Sequence, residues 1–315
     1  MRKRIVINSS GGNLTLEQAF EKFIKVKEIE NLVDESLGFY REAFSHLERH
    51  YGGDNLCSGV DEDIFFEVVE KIKKRNIAET TVNTKIRGLR VILYFFMDRE
   101  YIKPFKIKII KCEKPIKETY SDVEVKKLIE KPDPKRCSFA VFRNWAIICY
   151  LLGTGNRRKT VINLKIKDID LENMEIKLKK VKNKKPYIIP MSISLKSVLA
   201  EYLKFRNGEP DDYLFCSVYG AQLTKEAIAT AIRDYNHSRG VDKTSMHLFR
   251  HTFAKDWILN GGDIFTLQKI LGHSSLDMVR EYVEVYGNDL KKSFNDFNAL
   301  DRHARNFEKS KISMK

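Results

Sequence analysis

The sequence predicts a mainly α protein with a small antiparallel sheet, divided into an N-terminal four-helix domain and a larger mixed α/β domain. Three observations predict it. Apolar residues recur at spacings of three and four in four successive blocks between Thr15 and Arg99, with no strand-like alternation among them. The stretch Lys103–Thr119 (KPFKIKIIKCEKPIKET) holds two prolines, frequent lysines and no helical period, so it reads as an extended basic linker. Beyond it, Met174–Lys180 and Pro186–Met191 alternate in character and are joined by Val181–Lys185, the pattern of a β-hairpin with a lysine-rich tip.

The helical blocks follow in order. Residues 1–13 form a basic, flexible start that ends in Ser-Ser-Gly-Gly. From Thr15 a helix carries Leu16, Ala19, Phe20, Phe23 and Ile24 on one face. A second runs from Asp34 to Tyr51 with Leu37, Tyr40, Phe44 and Leu47 as its stripe, and Gly52-Gly53 stops it. A third starts near Asp61 and covers Ile64, Phe65, Val68, Val69 and Ile72. A fourth begins at Thr80 or Thr81 and runs through Ile86, Leu89, Ile92, Leu93 and Phe96 toward Arg99. Lys85, Arg87 and Arg90 on this last helix suit either a solvated face or a row of phosphate contacts.

The second domain spans residues 120–308. Ser121 caps a short helix that Pro132-Asp133-Pro134 breaks. Phe139–Leu152 is the most apolar helix of the chain and the expected core, ending at Gly153-Thr154-Gly155. Asn156–Leu164 then opens a helix loaded with Arg157, Arg158 and Lys159. Cations there oppose the helix dipole, and a bound phosphate would relieve the conflict. Further helices are expected at Ser194–Arg206, Lys225–Ser238 and from Asn288 to Phe307, before a basic tail, residues 309–315.

The totals restrict the function. Over 315 residues, 57 Lys and Arg against 43 Asp and Glu give a net charge of +14, which favours a polyanionic partner: nucleic acid or an anionic membrane surface. No run approaches the ~18–20 apolar residues a membrane-spanning helix needs. The apolar part of the N-terminus is too short for a signal peptide. Five scattered cysteines without Cys-x-x-Cys fit a reducing cytoplasm, and no His/Cys group has zinc-ligand spacing, so no structural metal is expected.

The chemistry concentrates in Ser245–Tyr286. His247 and Arg250 lie three apart and share a helix face, suited to a cluster of phosphate oxygens. Gly272 permits a sharp turn that returns His273 toward the same point, and Tyr282, nine positions on, is a candidate nucleophile.

His-x-x-Arg, Leu-Gly-His and a tyrosine at this spacing resemble the tyrosine recombinases, the phage-integrase family with the Xer recombinases among its members. The resemblance extends upstream: Thr154-Gly155-Asn156-Arg157 matches the family's first arginine motif, and counting back from Pro190 along the hairpin reaches Lys182 as its lysine. It implies a catalytic set of Arg157, Lys182, His247, Arg250, His273 and the nucleophile Tyr282. Arg158 adjoins Arg157, and Lys184 and Lys185 share the hairpin tip with Lys182. Tyr286 lies outside the family spacing, and His251 reads as a supporting or packing residue.

The family chemistry is strand cleavage by tyrosine, giving a 3′-phosphotyrosyl link and a free 5′ hydroxyl, then strand exchange through a Holliday junction, without ATP, metal or other cofactor. The expected fold is a helical core-binding domain at residues 14–102, a linker at 103–119 and a catalytic domain at 120–308. The implied partners are double-stranded DNA with inverted repeats and further copies of the chain, a tetramer docked through the last helix. Lys85, Arg87, Arg90, Lys106, Lys108, Arg158 and Lys184 are the candidate DNA contacts. The short stretch before Thr15 suggests a simple recombinase without an arm-binding domain. One position departs: family members commonly place an acid three residues after the first arginine, and here it is Thr160. That favours a mobile-element integrase over a housekeeping Xer enzyme, acting in the cytoplasm at the nucleoid.

Overall fold

Residues 14–112, 118–179, 186–273 and 275–286 are described by the structure, a computed structural model. The chain divides into two units, with the boundary between Pro115 and Ile116.

In the first unit, α1 (Leu16–Ile29) starts at Thr15, whose side chain and that of Gln18 cap each other's backbone N–H groups. α2 (Asp34–Tyr51) stops at Gly52, where φ is +96°. Asp61 caps α3 (Glu62–Lys73), and α4 (Glu79–Asp98) packs against α1, α2 and α3. The residues buried on α1 and α3 lie on the stripes read from the sequence; α4 buries its expected stripe and also Val82, Asn83 and Gly88. Phe20 stacks on Phe44, and Tyr40 meets Phe23 edge-on, which locks α1 to α2. Gly88 lets α4 cross α2 closely, because a Cβ there would sit 2.5 Å from that of Ala43.

On α4, Arg87 and Arg90 face solvent, with Arg90 over the Tyr94 ring. Lys85 is half-buried and paired with Glu42 at 2.8 Å. The stretch after α4 is extended, as its composition suggests, but its first part belongs to this unit's core. Ile102 and Ile107 are buried, while Lys106 and Lys108 alternate with them and face out. Asn83 holds this segment with two hydrogen bonds to the Ile110 backbone, at 2.9 and 3.0 Å. An amide side chain thus does what a neighbouring strand would do.

The second unit begins with α5 (Asp122–Ile129), capped by Ser121 and Glu124. α6 (Phe139–Thr154) is its buried axis, packed by α5, by α8 (Ile193–Arg206), by α9 (Lys225–Ser238) and by α10 (Met246–Leu259). After the six-residue α7 (Arg158–Asn163) comes an antiparallel sheet of β1 (Ile169–Asp170), β2 (Glu175–Lys179) and β3 (Pro186–Pro190). The hairpin register pairs Ile176 with Ile189 and Leu178 with Tyr187. β1 adds a third strand to the expected two; at two residues it is too short to show an alternation. α11 (Ile264–Leu271) and α12 (Asp277–Tyr286) complete the described chain.

Lys182, Lys184, Lys185 and the helix expected from Asn288 lie outside the described residues. No helix among the described residues is long and apolar enough to cross a membrane.

Candidate active site

The site is assembled where three helix ends meet: the last residue of α6, the start of α7 and the last residue of α11. α6 ends at Gly155 in the left-handed region, φ +61°. A Cβ there would lie 2.6 Å from Phe253 and 2.7 Å from Leu271, so only glycine fits. This turn aims the Gly155 carbonyl at α10, where Arg250 donates to it from Nη1 at 2.8 Å. Arg157, two residues on, is the extended N-cap residue of α7 and donates from Nη1 to the carbonyl of Leu271 at 3.3 Å.

Leu271 is the last residue of α11, where backbone carbonyls lack partners within the helix and the dipole is negative. Arg250 also donates to this oxygen, from Nη2 at 2.9 Å. Two guanidinium groups therefore converge on one helix C-terminus. Arg157 thus finds its acceptor in this carbonyl, while position 160 is threonine. No carboxylate among the described residues pairs with Arg157.

Gly272 turns the chain next, again left-handed at φ +61°, and brings His273 Nε2 against Arg250 Nη2. His273 is held from behind by its N–H to the Gln268 carbonyl (3.0 Å) and by Gln268 Nε2 on its own carbonyl (3.3 Å). Tyr282 on α12 is 3% exposed and packs with Ala254, Leu267, Leu271 and Val279. Its hydroxyl lies 2.7 Å from His251 Nδ1.

Electrostatics follow from this crowding. Burial, then the neighbouring Arg157 charge, push Arg250 down to about 10; the phenols of Tyr282 and Tyr187 act the other way. Tyr187, half-buried on β3 beside Gly272, is pushed up by burial and pulled back by Arg250 and Arg157. His247, at the second position of α10, is lowered first by partial burial and then by Arg250, Arg158 and Arg157. It is therefore neutral at pH 7 and able to accept a proton. With Asn156, Arg158, Thr230, Arg233 and Ser245 it lines an open cleft of about 320 Å³.

Of the expected residues, Arg157, Arg250, His273 and Tyr282 come together around the Leu271–Gly272 turn, and His247 lines a cleft within reach of the Arg157 and Arg250 charges. Arg158 points elsewhere: it lines the cleft and reaches the Lys225 carbonyl at 3.5 Å.

Two residues were not singled out for this role by sequence reasoning. His251, read as a supporting or packing residue, touches the Tyr282 hydroxyl directly. Its spacing of four from His247 was the available signal, since it places both on neighbouring turns of one face. Tyr187 gave no signal beyond strand alternation.

The Phage integrase family model matches residues 119–288, more than half of the chain. Tyrosine recombinase XerD of Chlamydia trachomatis is 27% identical over 252 residues, covering 77% of this chain and 83% of the relative. Tyrosine recombinase XerC of Staphylococcus epidermidis strain RP62A is 29% identical over 239 residues, covering 73% and 77%. Among solved structures, XerH site-specific recombinase bound to palindromic difH substrate has the same fold at TM-score 0.70 and 24% identity, covering 87% of this chain and 83% of that one. The Tn1549 transposon integrase in complex with transposon right end DNA also matches at 0.70, with 20% identity and 89% and 99% coverage. The chain belongs to the phage integrase family of tyrosine recombinases.

Proposed function

We propose that this enzyme is a site-specific DNA recombinase that breaks and rejoins strands through Tyr282. The observation that carries the reading is the convergence of Arg157, Arg250 and His273 on one turn beside a buried tyrosine whose hydroxyl meets an imidazole. The scissile phosphodiester docks with its non-bridging oxygens on Arg157, Arg250 and His273. Planar guanidinium groups suit these oxygens better than lysine, because each can donate two parallel hydrogen bonds.

Tyr282 Oη attacks phosphorus while its proton passes to His251 Nδ1, with neutral His247 available for a second transfer. The bond from phosphorus to the 5′ oxygen breaks, and Lys182 protonates that oxygen. Charge on the five-coordinate state is held by donors already fixed in place, which is the larger part of the rate gain. The phosphotyrosyl bond conserves the energy of the phosphodiester, so a 5′ hydroxyl from a second strand reverses the step and completes the exchange.

DNA is the partner. The helical unit is its core-binding domain, with Arg87, Arg90, Lys106 and Lys108 as exposed phosphate contacts. Lys85 is a weaker candidate because Glu42 holds it. The enzyme acts on inverted repeats as a tetramer, in the cytoplasm, and moves a mobile element; Thr160 in place of the acid supports that role over resolution of replicon dimers.

Covalent trapping tests this. Wild-type protein and Tyr282→Phe are incubated with DNA from the source, denatured in detergent, and the protein-linked fragments sequenced. Adducts in wild type only, focused on one inverted repeat, are expected. Binding without any adduct would reject cleavage, and adducts spread evenly would indicate a relaxing topoisomerase.

A further inference from the structure

The helical unit holds a second concentration of cations, remote in sequence from the recombinase motifs. Between α2 and α3 lies a small cavity of about 70 Å³ lined by the apolar Val68 and Ile72 and by His46, Arg49, His50, Lys71 and Arg75. It admits a tetrahedral oxyanion but falls far short of the ~300 Å³ at which pockets for organic ligands begin.

The lining is largely apolar, from Val68 and Ile72, and holds one unsatisfied polar group. His46 is 7% exposed, and its Nε2 has no hydrogen-bond partner. Buried polar nitrogens are nearly always paired, so an unpaired one lining a cavity calls for a ligand that supplies the partner. Above it, Arg49, Lys71 and Arg75 are exposed at the rim. Among the described residues Arg49 donates only to Ser45, through its carbonyl at 2.8 Å and its hydroxyl at 2.9 Å. Lys71 donates to His50 Nδ1 at 2.6 Å, which leaves His50 Nε2–H to donate to Glu67 at 2.7 Å. Glu42, the other nearby acid, is taken by Lys85. The three rim cations, Arg49, Lys71 and Arg75, thus have no carboxylate partner among the described residues. Burial and the charges of Lys85, Arg49 and Arg75 push His46 down to about 4, so the site at rest is a neutral imidazole inside a positive ring.

We propose that this pocket binds a tetrahedral oxyanion of the phosphate class, with His46 as the donor at its floor and Arg49, Lys71 and Arg75 as the clamp at its mouth. An anion offsets the repulsion among these cations and accepts from the imidazole, whichever its source. A free inorganic phosphate and a phosphodiester of bound DNA present the same oxygens; the second source rests on the reading of DNA as this enzyme's partner.

The test uses the full chain labelled with ¹⁵N-histidine, observed by NMR. Sodium sulfate, whose charge is constant across the range, is titrated against sodium chloride at equal ionic strength, with inorganic phosphate in parallel. Sulfate is expected to raise the His46 titration midpoint by about one pH unit or more, the mark of an anion that prefers the protonated imidazole about tenfold. An Arg49→Gln, Arg75→Gln double variant, altered only at exposed positions, is expected to weaken that response about tenfold.

DNA carrying the recombination site is then added in place of sulfate. A His46 response to DNA, with a shallower salt dependence of DNA affinity in the double variant, identifies a backbone phosphate as occupant. A response to sulfate and phosphate but not to DNA identifies a free-anion site. A His46 resonance indifferent to all three overturns the pocket. Adduct formation by wild type against Tyr282→Phe reports on the recombinase reading independently.

Discussion

His251 Nδ1 and Tyr282 Oη lie 2.7 Å apart although 31 positions separate them in sequence. The phenol is buried, so this imidazole is a ready acceptor for its proton. His251→Ala is expected to slow adduct formation roughly 100-fold, the low end for a positioned proton acceptor, with DNA affinity unchanged. Rapid-quench trapping together with a binding isotherm separates the two. Unchanged cleavage in this variant would reduce His251 to packing.

Arg250 is the most constrained cation of the site, 4% exposed and engaged by the Gly155 and Leu271 carbonyls, His273 and the Tyr282 hydroxyl. Lysine keeps the charge and loses the fork. Arg250→Lys is expected to cut cleavage roughly 10²–10³-fold. It is also expected to cost about 1–3 kcal/mol of stability, because a buried carbonyl loses its donor. Single-turnover cleavage and urea unfolding measure the two effects. Full activity in the lysine variant would mean that charge alone suffices.

Gly155 sets the direction of a carbonyl on which Arg250 depends. Gly155→Ala places a methyl 2.6–2.7 Å from Phe253 and Leu271 in a left-handed conformation. A loss of about 2–4 kcal/mol is expected from strain and overpacking combined. Gly220, also at positive φ but with open space around it, is the control; Gly220→Ala is expected to cost only the smaller conformational part. Denaturation midpoints of the two variants decide it.

The buried His46 predicts a pH dependence of folding. Its folded value of about 4 lies below the ordinary 6.5 of the unfolded chain. Between those values the unfolded state binds the extra proton, so stability falls as pH drops from 6.5 toward 4 and is unaffected above. The loss approaches about 3 kcal/mol at pH 4. His46→Phe is expected to flatten this limb relative to wild type in anion-free buffer. Parallel curves would remove His46 as the cause.

Much of the architecture was legible in local pattern. Leu16, Phe20, Phe23 and Ile24 fall on one face of α1, and the Thr15–Gln18 capping box marks where it starts. Gly272 proved to be the expected sharp turn, in the left-handed region, while the helix read as ending at Leu152 runs on through Gly153 to a left-handed stop at Gly155. Other features left no local trace. Nothing in Ile169-Asp170 announces a strand, because its only reason to be extended is β2 beside it. The segment after α4 reads as a linker by composition, yet Asn83 and the core hold Ile107 and Ile110 in place.

The sequence by itself determined the helical and strand periods, the turn positions and the types of residue available for phosphate chemistry, because these depend on neighbours within a few positions. Tertiary structure decided which groups meet. Arg157 and Arg250 share the Leu271 carbonyl, and His251 reaches Tyr282, only because α6, α10, α11 and α12 are packed end against face. The physical reason is that a helix exposes its unpaired carbonyls at one end only, and which side chains that end receives is set by packing between distant segments.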